Sequence, residues 1–477
     1  MYTNWQQREF IPREVAANYI RYDGVRARPT RAIGTRIAIS FVIAAVFFSP
    51  FMSLRYDAGL GIDAGHVFAT IAVLALIAFP MRRTSLSASD FFLLAFVFYC
   101  LAETALQSFN LPSPVNGSSD LFRSSSLRWV AQLAMLIVSV ASYYVVRAIS
   151  ANTNARVTRT IASSIFVLCC LGFLQEGLYV AGVSIGVVNV QSGVVSVPVI
   201  RIGQLAVLRM SSLAGEPKTF AAVLLPALFM CVAYLLQKAR SRMRRLCVFT
   251  AALCVPCLLA TLSTGGFYAL GLSLLPCAVV LRRHLRPLDH RVLAALFVIL
   301  GATVIIAPVL NYNWLVTLFH ERVTDRVDAI DYPEASTLAF LRDHPERAVI
   351  GVGYGNIGLY AHEYLVVENT NPYLRNNVLP LASWGLRLLA ETGVVGVLLF
   401  LGFQLALITE ARRRMRRCLP SAELVPLLAA AVCIICIQPF NFSNLQWPVL
   451  GALSGYASRK QQTPAIQGPR LQKELGF

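Results

Sequence analysis

Charge is scarce in this chain. Asp, Glu, Lys and Arg make up only 14% of its residues, and acids are the rarer sign, 24 against 42 Lys and Arg. A soluble domain carries about 25% charge, so a soluble globular protein is excluded, and 56% hydrophobic content in recurring long runs points to the bilayer instead. Histidine is also sparse, six in all, and no His, Cys or carboxylate spacing resembles a zinc or calcium site. Neither a metal nor a cofactor is therefore expected. The first 36 residues have no apolar core of the kind a cleavable signal peptide needs. Cysteine is present, eleven residues, but none falls in a loop on the non-cytoplasmic side, which excludes a disulfide framework. The two Cys-x-x-Cys pairs, Cys254/Cys257 and Cys433/Cys436, lie inside apolar runs and read as small packing residues.

What is there is a polytopic pattern. Runs of roughly 17–25 residues bounded by charge or turn signals predict an all-α membrane protein with twelve spans, near 37–54, 64–80, 89–108, 129–147, 160–180, 217–237, 246–262, 266–281, 292–311, 388–409, 424–440 and 445–458. Short basic loops resist translocation. Placing residues 1–36 in the cytoplasm as a basic segment puts most Lys and Arg on that side, with a cytoplasmic tail at 461–477 and one transmembrane domain, 37–460, between them. Much of the net charge of +18 is then topological, and no nucleic-acid partner is implied.

With no soluble catalytic domain, function falls to the outer loops, 181–216 and 312–387. The first ends in Arg209 and then Glu216-Pro217, where the proline suits a first helical turn and Glu216 falls at or beside the N-cap. An anion is favoured beside such a helix start. The second loop holds Arg322, Arg326, Arg342, Arg347, Arg375 and Arg387. Asp331 with Glu334 three residues later predicts a capped amphipathic helix running to about Asp343, ended by His344-Pro345. Gly351-Val-Gly-Tyr-Gly-Asn356 follows; no βαβ unit surrounds it, so it reads as a tight turn near a pyrophosphate or a plain loop rather than a dinucleotide site. Candidate bases are His66, His320, His344 and His362, with Glu103 and Glu176 added because an ionisable group at membrane depth needs a reason to be there.

Four motifs occur in order: Arg209-x-x-Ser212-x-x-x-Glu216-Pro217, Leu262-Ser-Thr-Gly-Gly266, Gly351-Val-Gly-Tyr-Gly-Asn356 and Leu389-Ala-Glu391-Thr-Gly393. Over about 200–460 the chain resembles the O-antigen polymerase (Wzy) and O-antigen ligase (WaaL) superfamily. The resemblance implies a membrane glycosyltransferase related to the GT-C class, acting at the periplasmic face of the bacterial inner membrane. Its substrate would be an undecaprenyl-diphosphate-linked oligosaccharide, and its partners a chain-length regulator and a flippase. Ligase-like members carry a His-Asn pair about nine residues before the glutamate matching Glu391; here Ala382 and Ser383 stand near there, which favours the polymerase. Arg342 and Gly353 also fit the arginine-to-glycine spacing of such polymerases, a pairing that composition alone produces easily.

The chemistry asks for arginine independently. Charge grows on the diphosphate as the glycosyl bond breaks, and a planar, permanently charged fork stabilises it. Arg209, Glu216, Arg322 and Arg326 are the expected catalytic set. Arg342, Arg347 and Arg387 are expected to bind substrate, with Tyr354 stacking on sugar. The alternatives are a ligase to lipid A core, and a lipid-linked oligosaccharide flippase or other twelve-span transporter.

Overall fold

The computed structural model describes residues 29–56, 62–78, 86–111, 125–153, 157–188, 195–202, 205–237, 242–281, 332–364, 383–417 and 423–459. It is helical, apart from three short two-stranded antiparallel ladders in loops. The helices are α1 Pro29–Phe48, α2 Ala64–Ala78, α3 Ala88–Gln107, α4 Ser125–Asn152, α5 Val157–Val180, α6 Pro217–Leu235, α7 Arg242–Ala260 and α8 Thr264–Leu281. There follow the short α9 Tyr332–Asp343, α10 Pro345–Ile350 and α11 Ile357–Tyr360, then α12 Trp384–Arg417, α13 Leu424–Ile437 and α14 Gln446–Ser458. Six of these are long and apolar enough to cross a membrane, α3 to α7 and α12. The chain is a helical membrane protein. A helix overlaps each expected span except 292–311, which lies outside the described residues, but the first ends at Phe48 rather than 54, and Ala64–Ala78, Leu424–Ile437 and Gln446–Ser458 are shorter than a full crossing.

Burial explains the arrangement. The central helix α6 is buried almost all round and packs on α13, which is buried along its length. The surrounding helices keep one apolar side outward: Phe91, Phe98, Leu275 and Leu398 are each more than half exposed, as lipid-facing residues should be. Small residues set the closest approach. Gly451 and Gly455 of α14 sit against the backbone of Tyr143 and Arg147 in α4, where a Cβ would collide with their carbonyls.

At one end of the bundle an ion pair is fully enclosed. Asp90, which closes a capping box with Ser87 at the start of α3, pairs with Arg147 of α4, both side chains at 2% exposure or less. Glu410 of α12 accepts the Ser89 N–H and Oγ–H at 3.0 and 2.9 Å, so three helices are fixed together there.

The opposite end carries the polar segment 332–364. It has its own small core, with Phe340, Leu341, Val352, Ile357 and Ala361 closing on Ala390 of α12. Helix α9 spans Tyr332–Asp343, but Glu334 accepts the Ser383 N–H (3.1 Å) and so fastens the start of α12 as well. Asp331, its expected capping partner, lies outside the described residues. Helix α12 begins earlier than the expected 388 and is broken inside at Gly393 (φ 63, ψ −176). The break releases carbonyls of the preceding turn, and Val352 and Gly353 donate to those of Ala390 (3.1 Å) and Glu391 (3.0 Å).

Candidate functional site

The loop Gly351–Asn356 organises one polar site between the ends of α3, α4 and α12. Gly351, Gly353 and Gly355 all have φ near +90°, a conformation open to glycine and strained for other residues. That shape lets the loop lie directly on α12 and α3. Its N–H groups are consumed in doing so: Val352 and Gly353 bond α12, Tyr354 donates to Thr104 Oγ1 (2.7 Å), and Asn356 donates to the Gly353 carbonyl. These N–H groups are therefore occupied by protein acceptors and do not form an anion cradle.

Side chains supply the charge instead. Arg387, in the first turn of α12, donates Nε to Glu391 Oε1 one turn later and Nη2 to Gln132 Oε1 of α4, each at 2.9 Å. Its guanidinium stands 5.8 Å from the Tyr354 ring centroid, within cation–π range. Gly355 gives Gln132 its place, since a Cβ there would lie 2.5 Å from Gln132 Cγ. Burial pushes the Tyr354 phenol well above its usual range, partly offset by Arg387, so the ring is a neutral platform. Arg347 of α10 donates Nη1 to Gln107 Oε1 (2.7 Å) at the end of α3, and Glu103 lies one turn earlier on that helix, close enough to interact with Arg347. Tyr360 borders the same pair; burial raises its phenol, opposed by Arg347 and reinforced by Glu103.

Two carboxylate oxygens here are buried and without a hydrogen-bond partner, Glu391 Oε2 and Glu103 Oε1. Arg347, Arg387 and Tyr354 thus come together around one loop. Arg342 does not join them: its side chain is 79% exposed and pairs with the adjacent Asp343 at 3.1 Å. Comparison with protein-family models and with curated proteins finds no match.

Arg209 and Glu216 belong to a second polar site, built from α5, the start of α6 and the turn between α7 and α8. Arg209 Nε donates to the Thr261 carbonyl (3.2 Å), and the Met210 N–H to that of Ala260 (2.9 Å). Gln175 of α5 accepts the Ser212 N–H at 2.8 Å, and Ser212 Oγ donates to the Leu168 carbonyl. Ser212 (φ 51) and Leu262 (φ 48) are the non-glycine residues with left-handed φ among those described, and such geometry persists only where surroundings over-determine it. Glu216 is the N-cap of α6 without capping through its side chain, 5% exposed, with Lys218 Nζ at 3.5 Å. Arg322 and Arg326, expected to close over Arg209, lie outside the described residues.

Among the histidines, His344 Nδ1 is 3.3 Å from Glu346 on an exposed surface and His66 pairs with Asp63 (2.8 Å), while His320 is outside the described residues. Among the described residues no group of three or more His, Cys, Asp or Glu is placed to hold a metal ion. Sequence reasoning missed Gln107, Gln132 and Thr104, neutral residues on helices with no spacing that marks them.

Proposed function

We propose that the chain is a polysaccharide polymerase of the bacterial inner membrane, a twelve-span glycosyltransferase that joins undecaprenyl-diphosphate-linked repeat units at the periplasmic face. In this reading both termini are cytoplasmic and the 332–364 segment faces the periplasm. The observation that carries it is the pair Arg347 and Arg387, each oriented by a glutamine oxygen, with Tyr354 beside Arg387 and Tyr360 beside Arg347, where the membrane bundle meets its polar layer. Gln107 orients Arg347 through a neutral oxygen, whereas Arg387 is paired with Glu391, so Arg347 is the guanidinium with no carboxylate at hydrogen-bonding distance among the described residues and the one an incoming anion would meet. Diphosphate requires this, and a bilayer-embedded carrier lipid would deliver it at this depth. Arg209, beside the start of α6, supplies a second cationic group, with the helix dipole favouring an anion nearby. No metal enters the reading.

The broken helix α12 favours a second reading. Discontinuous spans are a feature of transporters, whose substrates bind at such breaks, and a flippase would handle the same lipid-linked sugar. In cells lacking the chain, the polymerase reading expects single repeat units still exported while long polymer disappears. Loss of all outward-facing repeats would indicate the flippase, and polymer retained on the carrier lipid would indicate the ligase.

A further inference from the structure

Two carboxylates enter the Arg347–Arg387 site, and their environments differ. Glu391 is committed: one oxygen takes the Nε–H of Arg387, and its place one turn along α12 fixes that arginine's direction. Glu103 has no such ion pair at hydrogen-bonding distance among the described residues. Its side chain reaches Gln107, itself engaged by Arg347, while Oε1 is shut from solvent and meets no donor in a residue that is 8% exposed. A buried carboxylate oxygen left unpaired destabilises a fold, and a glutamine of the same shape would carry no charge to desolvate. An unsatisfied group of this kind in a native protein calls for a reason. The site's other features supply one: cations at Arg347 and Arg387 for a leaving anion, and aromatic walls at Tyr354 and Tyr360.

We propose that Glu103 is the general base that takes the proton from the acceptor sugar hydroxyl. This rests on the polymerase reading and deepens it. The acceptor oxygen forms a bond to the anomeric carbon of the donor glycan. The bond from that carbon to the diphosphate oxygen breaks, and its electron pair leaves with the diphosphate toward Arg347 and Arg387. The hydroxyl proton passes to the Glu103 carboxylate. Glu391, occupied by Arg387, is a positioning residue in this scheme.

The test uses the full chain in nanodiscs with lipid-linked repeat units, and undecaprenyl diphosphate as the binding probe. Glu103→Gln is expected to lower kcat by a hundredfold or more while KM and undecaprenyl diphosphate affinity change by well under tenfold, the step that corresponds to about 1.4 kcal/mol of binding. Its melting temperature should equal or exceed that of the unmodified protein, which a structural role for the carboxylate does not produce. If the Gln variant does not fold, Glu103→Asp decides: withdrawal of the carboxylate by one methylene should lower kcat at least about tenfold at unchanged affinity. A kcat within about threefold of the unmodified protein in the deciding variant, or a matching loss of undecaprenyl diphosphate affinity, overturns the assignment. Failure of the unmodified chain to bind undecaprenyl diphosphate or to transfer overturns the polymerase reading itself, and the base assignment with it.

Discussion

The backbone carbonyl of Glu391 accepts the N–H of Gly353 at 3.0 Å, while its side chain accepts the Nε–H of Arg387 at 2.9 Å. One residue therefore joins the helix break, the glycine loop and the arginine. A Cβ on Gly393 would strike the Val349 carbonyl, and one on Gly351 the Glu391 carbonyl; both glycines also have left-handed φ. Gly393→Ala or Gly351→Ala should each destabilise the protein by about 1–3 kcal/mol, read as a lower melting temperature in detergent. Gly271→Ala, where a Cβ meets nothing within 4 Å, is the control and should melt no lower.

Arg387 uses two different nitrogens for two different helices. A lysine offers a point charge and cannot do both. Arg387→Lys is accordingly expected to lose nearly as much transfer as Arg387→Ala, on the order of a hundredfold, and Arg347→Ala a similar amount. Arg342→Ala, changing an exposed side chain paired only locally, should leave polymer length on gels close to normal. Full activity in Arg387→Ala at equal expression would remove this site from the chemistry.

Arg209 gives an independent comparison. If its charge serves the diphosphate, Arg209→Lys should fail almost as badly as Arg209→Ala, each by about a hundredfold, with the exposed Arg342→Ala again the near-neutral control. Normal polymer in Arg209→Ala would confine the anion-binding role to Arg347 and Arg387, and leave Arg209 the task of tying its loop to the Thr261 carbonyl.

The enclosed Asp90–Arg147 pair predicts asymmetry between single and double changes. Asp90→Leu or Arg147→Met alone strands a buried charge and should cost about 3–5 kcal/mol, whereas both together should recover most of that loss. Melting curves of the three variants decide it, and additive losses would contradict the pairing.

Elongation of lipid-linked repeats by the purified protein should continue in excess chelator, since the leaving charge in this scheme is met by arginine. Loss of activity that one divalent ion restores would overturn the scheme.

The helices were legible because apolar runs of span length have few alternative uses. The four motifs were legible too, but their structural content was not. Among described residues with left-handed φ, all but Gly182 fall in them: Ser212, Gly215, Leu262, Gly351, Gly353, Gly355 and Gly393. They mark where the backbone must bend sharply or approach closely, a need that a residue name signals without saying what is approached. The break in α12 was hidden because Gly393 sits in a run as apolar as any span. Glu334 read as a local cap, and the fold adds a second task, since it accepts the Ser383 N–H from a residue 49 positions away. Gln107 and Gln132 look like any polar residue near a helix end, and only the fold shows which arginine each one meets.

Helix α14 presses Gly451 and Gly455 onto α4 over Tyr143 and Arg147. It is also the last of the described helices to emerge from a ribosome. Until it arrives, α4 presents those uncovered carbonyls and the neighbourhood of a buried charge to whatever surrounds it, lipid or insertion machinery. This face of the bundle consequently closes only when the last described helix arrives. A chain stopped before Gln446 would leave the face of α4 at Tyr143 and Arg147 without the helix that packs on it.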